Sequence, residues 1–152
     1  MTKDAAVAGL RASHKRFMDR LAALSPERWE DVAPSGSWRV RDIAAHIAVW
    51  DRILIDDLAG IRDGLAPAWM DWDDATSNAN NEEMVQDARS WSLQQLQDEL
   101  VAARSALVAA VGDIDEAHFA VGPISGGAVI SPEWLCQYWI RHDDEHTQNL
   151  PE

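Results

Sequence analysis

The sequence contains a single cysteine, Cys136, so no disulfide can form within the chain. Cys136 falls inside a predicted helix, which favours a small buried residue over a reactive thiol. A basic-then-apolar leader and any run of about 18 apolar residues are also missing. We therefore expect a cytoplasmic protein in a reducing compartment, with no membrane partner.

Basic residues are scarce as well. The 13 lysines and arginines face 26 aspartates and glutamates, so the 152-residue chain has a formal net charge of −13. This charge repels polyanions, and we expect no nucleic-acid partner.

Tyrosine and phenylalanine are rare, whereas the eight tryptophans exceed what a core of this size needs. We expect some of them to line a pocket or an interface. The length fits one domain, residues 1–152.

Apolar residues recur at helical spacing in four long segments. The predicted main helices cover Lys3–Leu24, about Trp38–Ile61, about Ser92–Val111, and the segment from Ser131 onward. A further helical stretch is predicted from near Asn80 to Ser90, after a long polar connection from Ala66 to Asn81. No segment has a convincing strand pattern. We therefore predict an all-α four-helix bundle with a long connection between the second and third main helices.

Helix start signals support two of these boundaries. Ser92 with Gln95 forms a capping-box pattern, in which each side chain satisfies a free backbone donor of the first turn. The sequence Ser131-Pro132-Glu133 supplies a cap, a first-turn proline and an acid for the last helix. Gly112 to Ile130 is predicted to be irregular.

Three histidines form the most informative pattern. His142 and His146 are four residues apart, so their side chains share one helix face. His46 is predicted to face inward from the second helix. If the second and last helices run antiparallel, all three imidazoles lie at one level near one end of the bundle. Three histidine ligands with one open coordination position are typical of a catalytic metal site.

Five other residues are candidates for a pocket or a supporting role around this site: His14, Asp42, Trp50, Tyr138 and Glu145. His14 is either a core histidine or a pocket-wall or proton-transfer residue. Trp50 and Tyr138 either pack in the core or line the pocket. Asp42 either caps its helix or accepts the second N–H of a ligand imidazole. Glu145 is a solvated acid, an orienting group or a general base.

The segment W-R-V-R-D at 38–42, followed by A-H-I-A at 45–48 and paired with H-D-D-E-H at 142–146, resembles the DinB-like superfamily of four-helix metalloenzymes. Together with Asn81-Glu82-Glu83, it is most similar to the DfsB/ClbS-type branch. The resemblance implies that His46, His142 and His146 bind one divalent metal ion, most often zinc or nickel. It also implies a homodimer.

For function, the resemblance implies a mononuclear metal-dependent hydrolase or thiol-dependent transferase that acts on a small electrophilic molecule. A low-molecular-weight thiol would be the cosubstrate of the transferase. Because a fold does not fix an activity, two other hypotheses stay open. One is a non-catalytic protein that binds or sequesters a small molecule, with a structural metal or none. The other is a dimeric interaction module that uses its tryptophans as an interface.

Overall fold

A computed structural model describes residues 1–34 and 36–152. Within them the chain forms five α-helices: α1 Lys3–Ala22, α2 Val40–Arg62, α3 Asp74–Ala88, α4 Leu93–Gly112 and α5 Pro132–Gln148. Short 3₁₀ helices cover Pro26–Glu30, Ala68–Asp71 and Glu116–His118. A small antiparallel hairpin pairs β1, Ile124–Ser125, with β2, Ala128–Val129. None of the described helices has both the length and the apolar character that crossing a bilayer requires.

Helices α1, α2, α4 and α5 form the predicted bundle, so the all-α fold class is confirmed. The predicted connection from Ala66 to Asn81 is wrong in extent, because α3 already begins at Asp74. Asp73 starts this helix by accepting a hydrogen bond from the Thr76 N–H. Only Val85 and Ala88 of α3 are buried. A helix with so small a buried face carries no apolar stripe from which its start could be read.

The predicted helix caps are present. The Ser92 hydroxyl accepts from the Gln95 N–H, and the Gln95 side chain accepts from the Ser92 N–H in return. The Ser131 hydroxyl accepts from the Trp134 N–H at the start of α5. These bonds satisfy backbone donors that have no partner inside the helix.

The bundle core is divided into two apolar clusters. Helix α1 packs mainly on α5, and α2 packs mainly on α4. One cluster contains Phe17, Ile47 and Leu100, and the other contains Leu10, Leu54 and Leu107 among its members. Between them along the helices lies a layer of buried polar side chains: Ser13, His46, Asp51, Arg104 and Asp143. This layer bears on the functional site.

Gly122 fixes the approach of the chain to α5, and we predict that Gly122→Ala destabilises the fold. An added Cβ would lie 1.9 Å from the Ile130 carbonyl oxygen, which is backbone and cannot rotate away. The expected loss in the free energy of unfolding is about 1–3 kcal/mol or more, measured by urea denaturation. Gly112→Ala is the matched control, because nothing lies within 4 Å of its added Cβ. Equal stability of the two variants would contradict the prediction.

Candidate metal centre

Three histidines converge where the start of α2 meets the end of α5. The Nε2 atom of His142 lies 3.1 Å from Nε2 of His46 and 3.1 Å from Nε2 of His146. One ligand nitrogen from each ring lies within 4.8 Å of the others. Further along, Trp50 of α2 contacts Trp139, which precedes His142 on α5. The two helices therefore run antiparallel here, which is the condition under which the sequence places all three imidazoles at one level.

The donor set suits a divalent ion. Zinc–nitrogen bonds of about 2.0–2.1 Å place tetrahedral ligand atoms about 3.3 Å apart, close to the two separations of 3.1 Å. Burial lowers the pKa of His46 to about 3. Burial also lowers the pKa values of His142 and His146. The rings are therefore neutral near pH 7, the form in which imidazole donates a lone pair to a metal. This cluster could hold a metal ion.

Tryptophan rings hold two of the three histidine rings in place. In the described residues, the Nδ1 atoms of all three are buried without a hydrogen-bond partner. The His142 ring instead stacks on Trp139, with centroids 4.1 Å apart and an interplanar angle of 24°. The His46 ring lies 5.2 Å from Trp38 and 6.2 Å from Trp50. Packing therefore orients these imidazoles, where many metal sites use a hydrogen bond to the second nitrogen.

The three histidines line a cavity of about 630 Å³. Its wall includes five tryptophans and a tyrosine: Trp38, Trp50, Trp69, Trp72, Trp139 and Tyr138. Polar groups come mainly from α3, through Ser77, Asn78, Asn81 and Glu82. The volume falls in the range of small-molecule sites, and so does the combination of apolar walls with a few polar groups.

The five predicted supporting residues lie in different places. Trp50 and Tyr138 line the cavity. Asp42 accepts from the Arg39 N–H at the start of α2 and pairs with Arg89, so it is occupied away from the His46 ring. Glu145 is exposed and does not line the cavity.

His14 lies apart from the metal centre, in a second cavity of about 510 Å³ between α1 and α4. Arg11, Lys15 and Arg104 line the same cavity. Burial and the neighbouring Arg104 charge lower the pKa of His14 to about 4. The structure therefore does not bring His14 to the three-histidine cluster.

Sequence reasoning missed a buried charge network that ties all four main helices together. Arg104 of α4 is 3% exposed and donates two hydrogen bonds each to Asp51 of α2 and Asp143 of α5. It also donates to the Leu10 carbonyl of α1. The Ser13 hydroxyl donates to Asp143 over 2.5 Å. Bidentate pairing of this kind fixes direction as well as distance.

This network is connected to the three-histidine cluster through Trp139. The Trp139 indole N–H donates to Asp51 over 3.2 Å, and the same ring stacks on His142. Asp143 follows His142 directly in α5. One sequence signal could have indicated the network: Arg104 interrupts the apolar stripe Leu100–Leu107, and Asp51 occupies the helical position between Ile47 and Leu54. Opposite charges at core positions of different helices predict a buried pair.

We predict that Asp51 makes stability pH-dependent. Burial raises its pKa from 3.8 to about 6, against the lowering effect of Arg104. Between these values the folded chain holds a proton that the unfolded chain releases, so lowering the pH stabilises the fold, and this contribution is lost as the pH rises through about 6. The gain from pH 7 to pH 4 through this group is at most about 3 kcal/mol.

Urea denaturation of metal-free protein from pH 7 to pH 4 measures this effect. Asp51→Asn is the reference, because it keeps the side-chain shape and cannot titrate. The wild-type protein should gain stability relative to this variant as the pH falls. Parallel pH profiles for the two proteins would contradict the assignment to Asp51.

Fold and site together define a class: an all-α bundle protein whose facing helices carry a three-histidine cluster in the wall of a cavity. The sequence profile of the DinB superfamily matches residues 9–150. The chain therefore belongs to the DinB superfamily. Comparison with curated protein sequences gives no match.

Two solved structures share the fold over almost the whole chain. One is "Sibling Lethal Factor Precursor - DfsB"; it matches with a TM-score of 0.73 and 11% identity, over 98% of this chain and 92% of the other. The second is an uncharacterised protein from Escherichia coli UTI89, with a TM-score of 0.68 and 16% identity, over 99% of this chain and 96% of the other. At these identities the similarity establishes the fold alone.

Proposed function

We propose that this protein is a mononuclear metal-dependent enzyme acting on a small electrophilic molecule, with His46, His142 and His146 as the metal ligands. The observation that carries the proposal is the convergence of three histidine Nε2 atoms in the wall of a cavity. When bound, a divalent ion supplies Lewis-acid chemistry: it polarises a substrate oxygen and lowers the pKa of water. Hydrolysis and thiol transfer onto the electrophile both use this chemistry.

The protein's own residues bind and position the reactant. Trp38, Trp50 and Trp139 each contact a histidine ring, so apolar surface bounds the part of the cavity beside the histidines and strengthens electrostatic interactions there. Asn81 accepts the Trp50 indole N–H, so its amide is fixed with the NH₂ group free to donate. Glu82 is the one carboxylate among the described residues of the cavity wall. Its oxygens already accept from Arg89 and Trp38, so we assign it to the wall and not to proton transfer.

A non-catalytic binding protein is the second candidate, and the hydrogen bonding of the Glu82 carboxylate favours it. The described residues of the cavity wall contain no carboxylate free of hydrogen-bond partners to act as a base. A protein that only sequesters its ligand needs none. The choice of zinc or nickel, the thiol cosubstrate, the homodimer and the cytoplasmic location stay predictions from the sequence.

Turnover separates the two candidates. The experiment incubates metal-loaded protein with a panel of small esters, epoxides and other electrophiles, each with and without a low-molecular-weight thiol. The enzyme proposal predicts many product molecules per chain for at least one substrate, and loss of that activity in His142→Ala. Product that never exceeds one equivalent per chain would support the binding protein. A thiol requirement would select transfer over hydrolysis.

A further inference from the structure

The electronic character of the cavity wall indicates the class of ligand. Six aromatic side chains of its wall are in continuous contact with one another, including two of the histidines: His46, Trp50, Trp69, Tyr138, Trp139 and His142. Successive ring centroids are 6.2, 5.8, 5.5, 6.1, 4.1 and 5.2 Å apart. A ligand in this cavity therefore meets a continuous aromatic surface.

The tryptophans present their rings to the cavity without their polar N–H groups. The indole N–H groups of Trp38, Trp69 and Trp139 donate to the carboxylates of Glu82, Asp57 and Asp51, over 2.8, 2.8 and 3.2 Å. The N–H of Trp50 donates to the Asn81 amide oxygen. Four of the five cavity tryptophans thus have no N–H left for a ligand. A carboxylate acceptor also adds electron density to the ring, which strengthens the negative potential of its face.

Charge at the cavity wall has one sign. The described lining residues include no lysine or arginine, and the one charged side chain among them is the Glu82 carboxylate. The whole chain carries a formal net charge of −13. An anionic group on a ligand would find no cationic side chain in this wall, whereas a cation would meet aromatic ring faces.

Trp69 and Trp72 form a part of the described cavity wall that has no ring contact with the histidines. Trp69 packs against Trp50, Trp134 and Tyr138, and Trp72 packs against Trp50. Neither has a ring contact with a histidine among those found in the described residues. A positive group beside Trp69 and Trp72 is thus separated by Trp50 from a metal ion held by the histidines, which limits repulsion between the two charges.

We propose that the cavity binds a ligand with an organic cation, a quaternary or protonated amine, seated against Trp69 and Trp72. The proposal rests on the proposed function for its second half: the uncharged reactive group of the same molecule reaches the three histidines. The enzyme's substrate is then a cationic small electrophile. An anionic thiol cosubstrate is disfavoured, because its carboxylates would lie against aromatic faces.

Two probes of equal shape test the cation site: choline and its neutral isostere 3,3-dimethylbutan-1-ol. Binding to the metal-loaded protein is measured from the indole ¹H–¹⁵N signals of the tryptophans at constant ionic strength. We expect choline to bind with a dissociation constant on the order of millimolar. It should bind roughly tenfold more tightly than the isostere, a difference of about 1.4 kcal/mol.

Matched tryptophan variants localise the effect. Trp69→Leu and Trp72→Leu should each reduce the preference for choline over the isostere to about twofold or less. Trp91→Leu is the control, because Trp91 is half-buried but does not line the cavity, and it should keep the full preference. Circular dichroism verifies folding. If Trp69→Leu does not fold, Trp72→Leu decides the matter, because no side-chain hydrogen bond from Trp72 is found in the described residues.

Two results would overturn the proposal: no choline binding up to tens of millimolar, or an isostere that binds as tightly as choline. Each can be told apart from failure of the metal proposal. Choline preference in a protein that binds no metal supports the cation site and contradicts the proposed enzyme. A metal-loaded protein without choline preference contradicts the cation site alone.

Discussion

His46→Ala should abolish stable metal binding while the bundle stays folded. Removing one of three ligands leaves two histidines from a single helix, and an ion then loses the contact that joins α2 to α5. Changes to groups that only orient a ligand already weaken metal affinity 10–100-fold, so we expect loss of a ligand to weaken it at least about 100-fold. Elemental analysis after dialysis against a weak chelator measures the remaining ion, and circular dichroism verifies the helices.

Two other histidines serve as controls for this substitution. His14 lies in the second cavity, between α1 and α4, and His118 is exposed in a 3₁₀ helix. His14→Ala and His118→Ala should keep the metal content of the wild-type protein. Wild-type metal content in His46→Ala, or equal loss in all three variants, would mean that the three-histidine cluster is not the binding site.

Arg104→Met should cause the largest loss of stability of any single substitution considered for this fold. It leaves the carboxylates of Asp51 and Asp143 buried, both 0% exposed, without the guanidinium that offsets their charge. Breaking a buried pair by removing one partner typically costs about 3–5 kcal/mol. Urea denaturation measures the free energy of unfolding.

An exposed ion pair provides the matched control. Arg52 pairs with Glu99 at the surface, with the Arg52 side chain 46% exposed, so Arg52→Met should cost less than about 1 kcal/mol. Adding Asp51→Asn to Arg104→Met should restore part of the loss, since one of the two unpaired charges is gone. Similar effects of Arg104→Met and Arg52→Met would contradict the view that this network holds the four helices together.

What the sequence could predict depended on local periodicity. The i, i+4 spacing of His142 and His146 and the inward stripe of α2 were enough to predict that three imidazoles share one level. The capping patterns at Ser92 and Ser131 located the starts of α4 and α5, because capping depends on a few adjacent residues. The family resemblance rested on the same short segments, and the profile match over residues 9–150 confirms it.

What the sequence could not predict depends on contacts between distant segments. Helix α3 buries only two residues, so it was read in part as a connection. The Arg104 network joins residues up to 130 positions apart, and no local pattern shows which charged residues meet. His14 fits the apolar seam of α1 as well as His46 fits that of α2, but it faces α4. Helical periodicity identifies the buried face of a helix; which neighbour covers that face is set by the packing of the whole bundle.

Elemental analysis of the untagged wild-type protein, combined with X-ray absorption at the edge of the metal found, tests the metal centre most directly. We predict about one divalent ion per chain, with three imidazole nitrogens at about 2.0–2.1 Å if the ion is zinc. Protein that binds no ion when supplied with zinc or nickel would contradict the three-histidine metal centre. An ion whose coordination shell lacks imidazole nitrogen would contradict it equally.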